Sequence, residues 1–582
     1  MQKTSLLYLS LIIILITAIT SGGCSNTAKN ISGIKNAADE IYFNGDIITM
    51  EGKSPEYAEA VAVKNGKIVF VGSKAEADKL IGDSTKMNDL KGKTLLPGFI
   101  DGHGHAFNSG VQALAANLLP APDGTGNDIP AIDTLLKEWE SKNKGTIGKY
   151  GWIMGFGYDD AQLKEGRHPT ADDLDKVSDT IPIVIIHQSG HLAVMNHKAL
   201  EIAGFNADTK DPEGGVIRRK KGSREPDGVL EEMAFFLPMF KIMGNLDTTA
   251  NQKIALAGID AYVKFGYTTL QEGRATKEAC DTWMSLGKQG KLKVDIACYT
   301  DIQGNIPYIK STGVQKDYIN HFRVAGVKLS LDGSPQGKTA WLTEPYKVPP
   351  QGQPADYAGY PAIPGQTNVN AFVDTAFANN WQIITHCNGD AALDAYIVAV
   401  RNATSLYGNN DRRSVVIHAQ TARFDQLDSM KVLGMMPSFF GMHTYYWGDW
   451  HMNETLGKER AFRISPAATA LKKGMIFTEH HDAPVALPSS IMILYSVVNR
   501  LSRTGVVIGP DERISVYDGL RSLTSWAAYQ YFEENSKGTL KAGKLADMVI
   551  LSENPLKIDP VKIKDINVLE TIKEGNTVFK IQ

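Results

Sequence analysis

The chain has 582 residues, a formal net charge of −3, 43% hydrophobic residues and 21% charged residues. This is the balance of an ordinary globular protein, long enough for a barrel with appended elements. The net charge points to neither nucleic acid nor an acidic substrate, and no basic patch interleaved with aromatics and no Walker-type phosphate loop occurs.

Lys3 precedes an apolar run from Leu6 to Ile19, 14 residues long. That is short for a membrane-spanning helix and right for the core of a secretion signal. Ser21, Gly22 and Gly23 then lead to Cys24, which resembles the lipobox of bacterial lipoproteins, with Ser21 where Leu is most usual. The reading is a lipoprotein signal peptide over residues 1–24, lipidation at Cys24 and a polar tether over 25–39. Ser25 rather than Asp after the cysteine implies, by resemblance to the Gram-negative sorting rule, export to the outer membrane or a periplasm-facing position. Membrane contact is expected through this anchor only. Cys280, Cys298 and Cys387 match no zinc-knuckle spacing and read as core or near-site thiols.

Ile41–Met50 predicts a strand pair around Asn44-Gly45, and Ala60–Val71 a hairpin turning at Asn65-Gly66. Strand segments also close the chain at Gly543–Leu551 and Val568–Val578. Segments at both ends that lack a sheet of their own are expected to pair, making a composite β-sandwich from residues 40–94 and 538–582.

Between them, eight apolar strand candidates alternate with helical segments such as Ala391–Asn402. They are Leu95–Ile100, Tyr267–Gln271, Val294–Tyr299, Val324–Ser330, Trp381–Thr385, Ser414–Ile417, Met435–Phe440 and Met475–Thr478. Eight such units argue an α/β fold, a (β/α)₈ TIM barrel over residues 95–537. A long interval after the first strand, about 106–255, holds an internal strand Ile181–Ile186 and is expected to cap the barrel.

In such barrels the chemistry sits at the C-terminal strand ends. The first strand leads into Asp101-Gly-His-Gly-His105. Residues i and i+2 of a strand share a face, so His103 and His105 can aim two imidazoles at one point. A bare His-X-His is weak by itself. The fourth strand carries Lys328 in an apolar run, the fifth ends in His386, the sixth in His418, and the eighth leads to His480-His481-Asp482. Four histidines, a lysine and an aspartate on one rim make the signal strong.

With these residues the sequence resembles the amidohydrolase superfamily, in the branch that includes N-substituted formamide deformylase. The carriers are the segments 96–105, 326–334, 385–392, 417–420, 481–485 and 543–551. The resemblance implies the barrel with a composite β-sandwich and one or two divalent metal ions, Zn²⁺ by preference. It implies that His103 and His105 hold the more buried ion, that Lys328 is carboxylated by CO₂ to a carbamate bridging two ions, and that His386 and His418 hold the second. Asp482 would ligate the first ion and shuttle the catalytic proton. His191, in the cap, would bind substrate or polarise its carbonyl, or serve the cap's structure. Glu272 reads as a supporting residue. The family has a small residue before the Asp; here His481, preceded by His480, would add a substrate contact or distort the metal site. Among the aromatics of the cap and rim, Trp152, Phe156, Tyr158, Trp341, Tyr445, Tyr446 and Trp447, most are expected in the core.

The function so implied is a metal-dependent hydrolase that cleaves a C–N bond of a small amide, formamide or cyclic amide by attack of a metal-activated hydroxide. A mononuclear deaminase or esterase on the same barrel is the alternative, and Lys328 argues against the deaminase. A non-catalytic surface-binding lipoprotein is the remaining reading. A homo-oligomer is left open.

Overall fold

The computed structural model describes residues 37–244, 246–350 and 352–581. The expected signal peptide, Cys24 and most of the tether lie outside the described residues.

All eight expected strands form one sheet. Its strands are Phe99–Ile100, Tyr267–Ala275, Asp295–Asp301, Phe322–Ser330, Ile383–Cys387, Val415–His418, Met436–Phe439 and Thr478–Glu479, each paired in parallel with the next. Most of their residues are buried, as parallel strands covered on both faces require, which is why they read as unbroken apolar runs. Helices follow, among them Lys277–Lys288 and Asp390–Tyr407. The first of these is capped by the Thr276 side chain, which accepts from the Ala279 N–H, and buries Cys280, Trp283 and Leu286 on one face. The two end strands of the sheet approach each other: a Cβ added at Gly102 would lie 3.0 Å from the Glu479 carbonyl oxygen.

The first expected strand divides in two. Thr94–Pro97 pairs antiparallel with Met548–Leu551, and only Phe99–Ile100 enters the parallel sheet. Pro97 has no N–H to continue a ladder. The Gly98 N–H then bonds the Asp547 carbonyl and the Phe99 N–H bonds the Gly266 carbonyl, so consecutive residues serve different sheets. A Cβ at Gly98 would sit 2.4 Å from Thr268, so only glycine fits the step.

The second sheet joins the chain ends. Its order places Met548–Leu551 between Thr94–Pro97 and Val568–Lys573, with Glu40–Ile48, Tyr57–Lys64 and Lys67–Gly72 beyond. The Asn65-Gly66 turn forms as expected, with φ of 49° and 74°, the pair of positive values a tight hairpin needs. The Asn44-Gly45 turn does not form. Glu40–Ile48 is one strand whose two halves pair with the same partner, with the register broken between Phe43 and Ile47. Asn44, at φ 59°, sits in a bulge with its amide donating to Asp89.

A third, six-stranded sheet lies between residues 116 and 232. Ile153–Tyr158, Ile183–His187 and Leu192–Met195 are at its centre, and it has its own core of Leu118, Ile132, Leu136, Ile185 and Val194. The flanking helices Ala106–Leu114 and Thr248–Val263 instead share the core of the parallel sheet through Ala106, Phe107, Ile254 and Ile259. They cross at Gly110 and Gly258, where an added Cβ would lie about 2 Å from the opposing backbone.

Candidate active site

The loops after the first and eighth parallel strands are stitched backbone to backbone. The Asp482 N–H bonds the His103 carbonyl at 3.2 Å and the His105 N–H bonds the Ala483 carbonyl at 2.8 Å. Asp482 itself sits at φ 54°. This brings Asp482 Oδ1 to 3.3 Å from both His103 Nε2 and His105 Nε2. Asp482 Oδ2 is 3.8 Å from His418 Nε2, which is in turn 3.1 Å from His386 Nδ1. Lys328, almost wholly buried, puts Nζ 3.0 Å from His103 Nε2. Every residue the sequence assigned to the metal rim therefore meets at one place.

The imidazoles are oriented from behind. Gln271 donates its amide N–H to the Gly102 carbonyl and Tyr531, which turns its oxygen to His103 Nδ1 at 2.5 Å. An amide oxygen only accepts, so Nδ1 carries the proton and Nε2 presents its lone pair to Asp482. His386 Nε2 donates to the Gly333 carbonyl at 3.0 Å, leaving Nδ1 toward His418. His418 Nδ1 lies 3.1 Å from His480 Nε2, and His480 Nδ1 lies 2.9 Å from the Ser438 hydroxyl. With His480 donating to Ser438, His418 donates to His480 and keeps its own Nε2 free. Burial, followed by the charge of Lys328, holds His103 and His386 well below the usual imidazole value, and burial with neighbouring His386 does the same for His418. All three are neutral, as metal ligation requires.

This donor set fits a divalent cation. Asp482 Oδ1 is buried without a hydrogen-bond partner although it faces two imidazole nitrogens, and His105 Nδ1 is likewise buried and unpartnered. A carboxylate oxygen against a lone pair in a buried site is costly unless a cation lies between them. Ligands about 2.0–2.2 Å from a tetrahedral ion stand about 3.4 Å apart, close to the observed 3.3 Å.

His191 reaches the rim from the third sheet. Its Nδ1 is 2.9 Å from Glu232 Oε2 and its ring centre 5.8 Å from that of His386. Burial opposes its charge, but Glu232 outweighs burial and raises its affinity for a proton. His480 and His481 are both completely buried, and neither makes a surface for substrate. His481 turns away, with Nε2 3.3 Å from Asp101 and its ring against Tyr262 and Tyr267. Glu272 supports the helix after His105: it accepts from the Phe107 N–H at 2.7 Å and from the Trp283 indole at 3.1 Å. Tyr158, Phe156, Tyr446 and Trp447 are core, and the three described cysteines are buried free thiols.

Three contributors have no role assigned from the sequence: Gln271, Asp101 and Asp332. Asp332 accepts the N–H groups of Trp341, Asn388 and Gly389 and stands 3.4 Å from His386. Their signal is position: each is a polar residue at or just past the end of an apolar strand. Gln271→Leu is expected to weaken metal retention about 10–100-fold, read as metal content after dialysis against a graded chelator series.

A family model described as "Amidohydrolase family" matches residues 86–579, most of the chain. The chain belongs to the amidohydrolase family. This amidohydrolase is 28% identical over 531 residues to protein LONG AFTER FAR-RED 3 of Arabidopsis thaliana, covering 89% of this chain and 88% of that one. It is 23% identical over 547 residues to N-substituted formamide deformylase of Arthrobacter pascens, covering 92% and 97%. Among solved structures, a metal-dependent hydrolase of Pyrococcus horikoshii superposes with a TM-score of 0.71 at 23% identity, covering 90% of this chain and 99% of that one. A zinc complex of atrazine chlorohydrolase from Arthrobacter aurescens superposes at 0.51 with 11% identity, covering 93% and 95%. These likenesses are of fold. Family membership and the ligand cluster together make the protein a hydrolase that uses a divalent metal and a small-molecule substrate.

Proposed function

We propose that this amidohydrolase cleaves the C–N bond of a small amide-type substrate, a formamide, linear amide or cyclic amide, at a pair of zinc ions. The observation that carries the reading is the approach of His103, His105 and His418 to one carboxylate, Asp482, with a buried lysine 3.0 Å from His103. In this reading the eight parallel strands close as a TIM barrel, the sheet from both chain ends is its composite β-sandwich, and the third sheet is its cap. The N-terminal lipid anchor at Cys24 would tether the enzyme to a membrane facing the periplasm.

His103, His105 and Asp482 would hold one ion and His386 with His418 the other. When bound, such ions acidify water and polarise a carbonyl. Burial lowers the Lys328 ammonium to about 7. The neutral amine is therefore the main form above that pH, and only the neutral amine adds to CO₂, giving a carbamate and releasing a proton. The product has two oxygens and a negative charge where the cation would repel metal. A mononuclear deaminase has no use for a lysine here. Asp482 accepts a proton from the attacking water and returns it to the leaving nitrogen. His191, held by Glu232, faces the same space and is suited to polarise the substrate carbonyl.

The test is a hydrolysis screen of N-formyl, N-acyl and cyclic amides with the metal-reconstituted protein. Turnover of none of them, with less than about half an equivalent of metal bound, would sink the proposal. Lys328→Ala is expected to lose activity and regain part of it with short carboxylic acids. In wild type, activation by bicarbonate should fade as pH drops below about 7, where the amine protonates; activation unchanged down to pH 5 would remove the carbamate from the mechanism.

A further inference from the structure

Arg274 is used by nothing described so far. It follows Glu272-Gly273 at the end of the second parallel strand, Tyr267–Ala275. Its Nε donates to Asp301 Oδ2 at 2.9 Å, and Asp301 stands opposite Lys328 in the register of the next two strands. The guanidinium carbon lies 5.7 Å from the Phe236 ring centre. Phe236 is 6.2 Å from His191, and His191 5.8 Å from His386. Arg274 is thus two rings away from the proposed ion pair. Its side chain is 35% exposed, so it lines open space and is not buried in the core.

A guanidinium has five donors, and Asp301 takes one. The two terminal nitrogens of Arg274 have no hydrogen-bond partner among the described residues, while the Nε edge is pinned by Asp301 and the face rests on Phe236. A fork held rigidly by one edge and one face, with its other edge open, is preorganised for a planar anion gripped through two parallel N–H···O bonds. The acidic groups facing it, Asp301 beside it and Glu232 beyond Phe236, are already engaged by Arg274 itself and by His191.

We propose that Arg274 binds a carboxylate of the substrate, so that the amide hydrolysed is an N-acyl or N-formyl amino acid or a related acidic amide. This rests on the hydrolase reading and narrows its substrate class. The ordering is geometric: the scissile carbonyl lies at the His103–His386 rim, and the carboxylate lies across Phe236.

The experiment compares N-formylphenylalanine, both enantiomers, with its uncharged primary amide, using the full metal-loaded protein. Turnover and calorimetric binding are both read. Wild type is expected to prefer the acid about 10–100-fold in kcat/KM and in Kd, the range of a charge-assisted pair. Arg274→Met should bring the acid-to-amide ratio near one, and Arg274→Lys should restore only part of it, because the charge returns without the fork. Equal or weaker binding of the acid by wild type, or a ratio unmoved by Arg274→Met, overturns the proposal. If the acid binds in an Arg274-dependent way yet neither compound is hydrolysed, the anion site stands and the amide-hydrolase reading falls. If the amide is cleaved as well as the acid, the hydrolase reading stands and the anion site falls. Thermal unfolding of each variant separates loss of the fork from loss of fold.

Discussion

Asp482→Asn is expected to lower turnover by about 10²–10⁴-fold, the scale of a lost general acid–base group, while leaving the fold in place. Asparagine is the informative replacement. Asp482 sits at φ 54°, where asparagine is among the few residues tolerated, so the backbone that joins the first and eighth strand ends is kept. What changes is the donor set. Asp482 Oδ1 stands 3.3 Å from His103 Nε2 and from His105 Nε2, and Oδ2 stands 3.8 Å from His418 Nε2. An amide has one weak acceptor and an NH₂ that cannot ligate a cation or accept a proton. The NH₂ would instead donate to an imidazole lone pair and close the space the ion would fill. Metal content and activity should therefore fall together, with the urea midpoint of the metal-free variant close to that of metal-free wild type. Full activity in Asp482→Asn would refute the assignment of Asp482 as ligand and proton carrier.

The candidate rim residues were legible because parallel strands buried on both faces leave continuous apolar runs in the sequence, and those runs say where each strand ends. What is written at the ends can then be read directly: His103 and His105, Lys328, His386, His418 and Asp482 all converge. In the loop after Thr478–Glu479, His480 comes to the side of Asp482, beside His418, and His481 turns away, against Asp101. Other features carry no local signal. Asn44-Gly45 satisfies a hairpin and a bulge equally, since both need positive φ, and only the shared partner strand decides between them. The change of sheet at Gly98 depends on Asp547, far away in sequence, offering the carbonyl. Gln271 and Arg274 show in the sequence only their place at a strand end; their partners, His103 and Asp301, come from other segments and are set beside them only in the fold.

The largest stability effect is expected far from the metal rim, at Asp295, the first residue of the third parallel strand. Its Oδ2 lies 2.6 Å from Lys537 Nζ and 2.6 Å from Lys573 Nζ, and its Oδ1 lies 2.7 Å from His321 Nδ1. Lys537 also contacts Glu533 at 2.7 Å and Thr269 at 3.0 Å, and Lys573 contacts Asp547 at 2.9 Å. Asp295, Lys537 and Lys573 are all buried. One carboxylate thus ties the parallel sheet to the chain-end sheet that contains Lys573. Asp295→Asn removes the negative charge and leaves two buried ammonium groups with less than their due, a loss of about 3–5 kcal/mol by the measure of a broken buried ion pair. Burial opposes the charge on Asp295, but the two lysines outweigh it and hold its carboxyl well below the usual range. A carboxylate whose folded-state pKa is depressed adds stability above its unfolded value near 4 and loses it as pH falls toward the folded one. Urea unfolding should therefore separate the variant from wild type by the full amount at pH 7, and the two should converge as the pH drops below about 4. A difference under about 1 kcal/mol at pH 7, or one that does not shrink in acid, would show that the network is not held by the Asp295 charge.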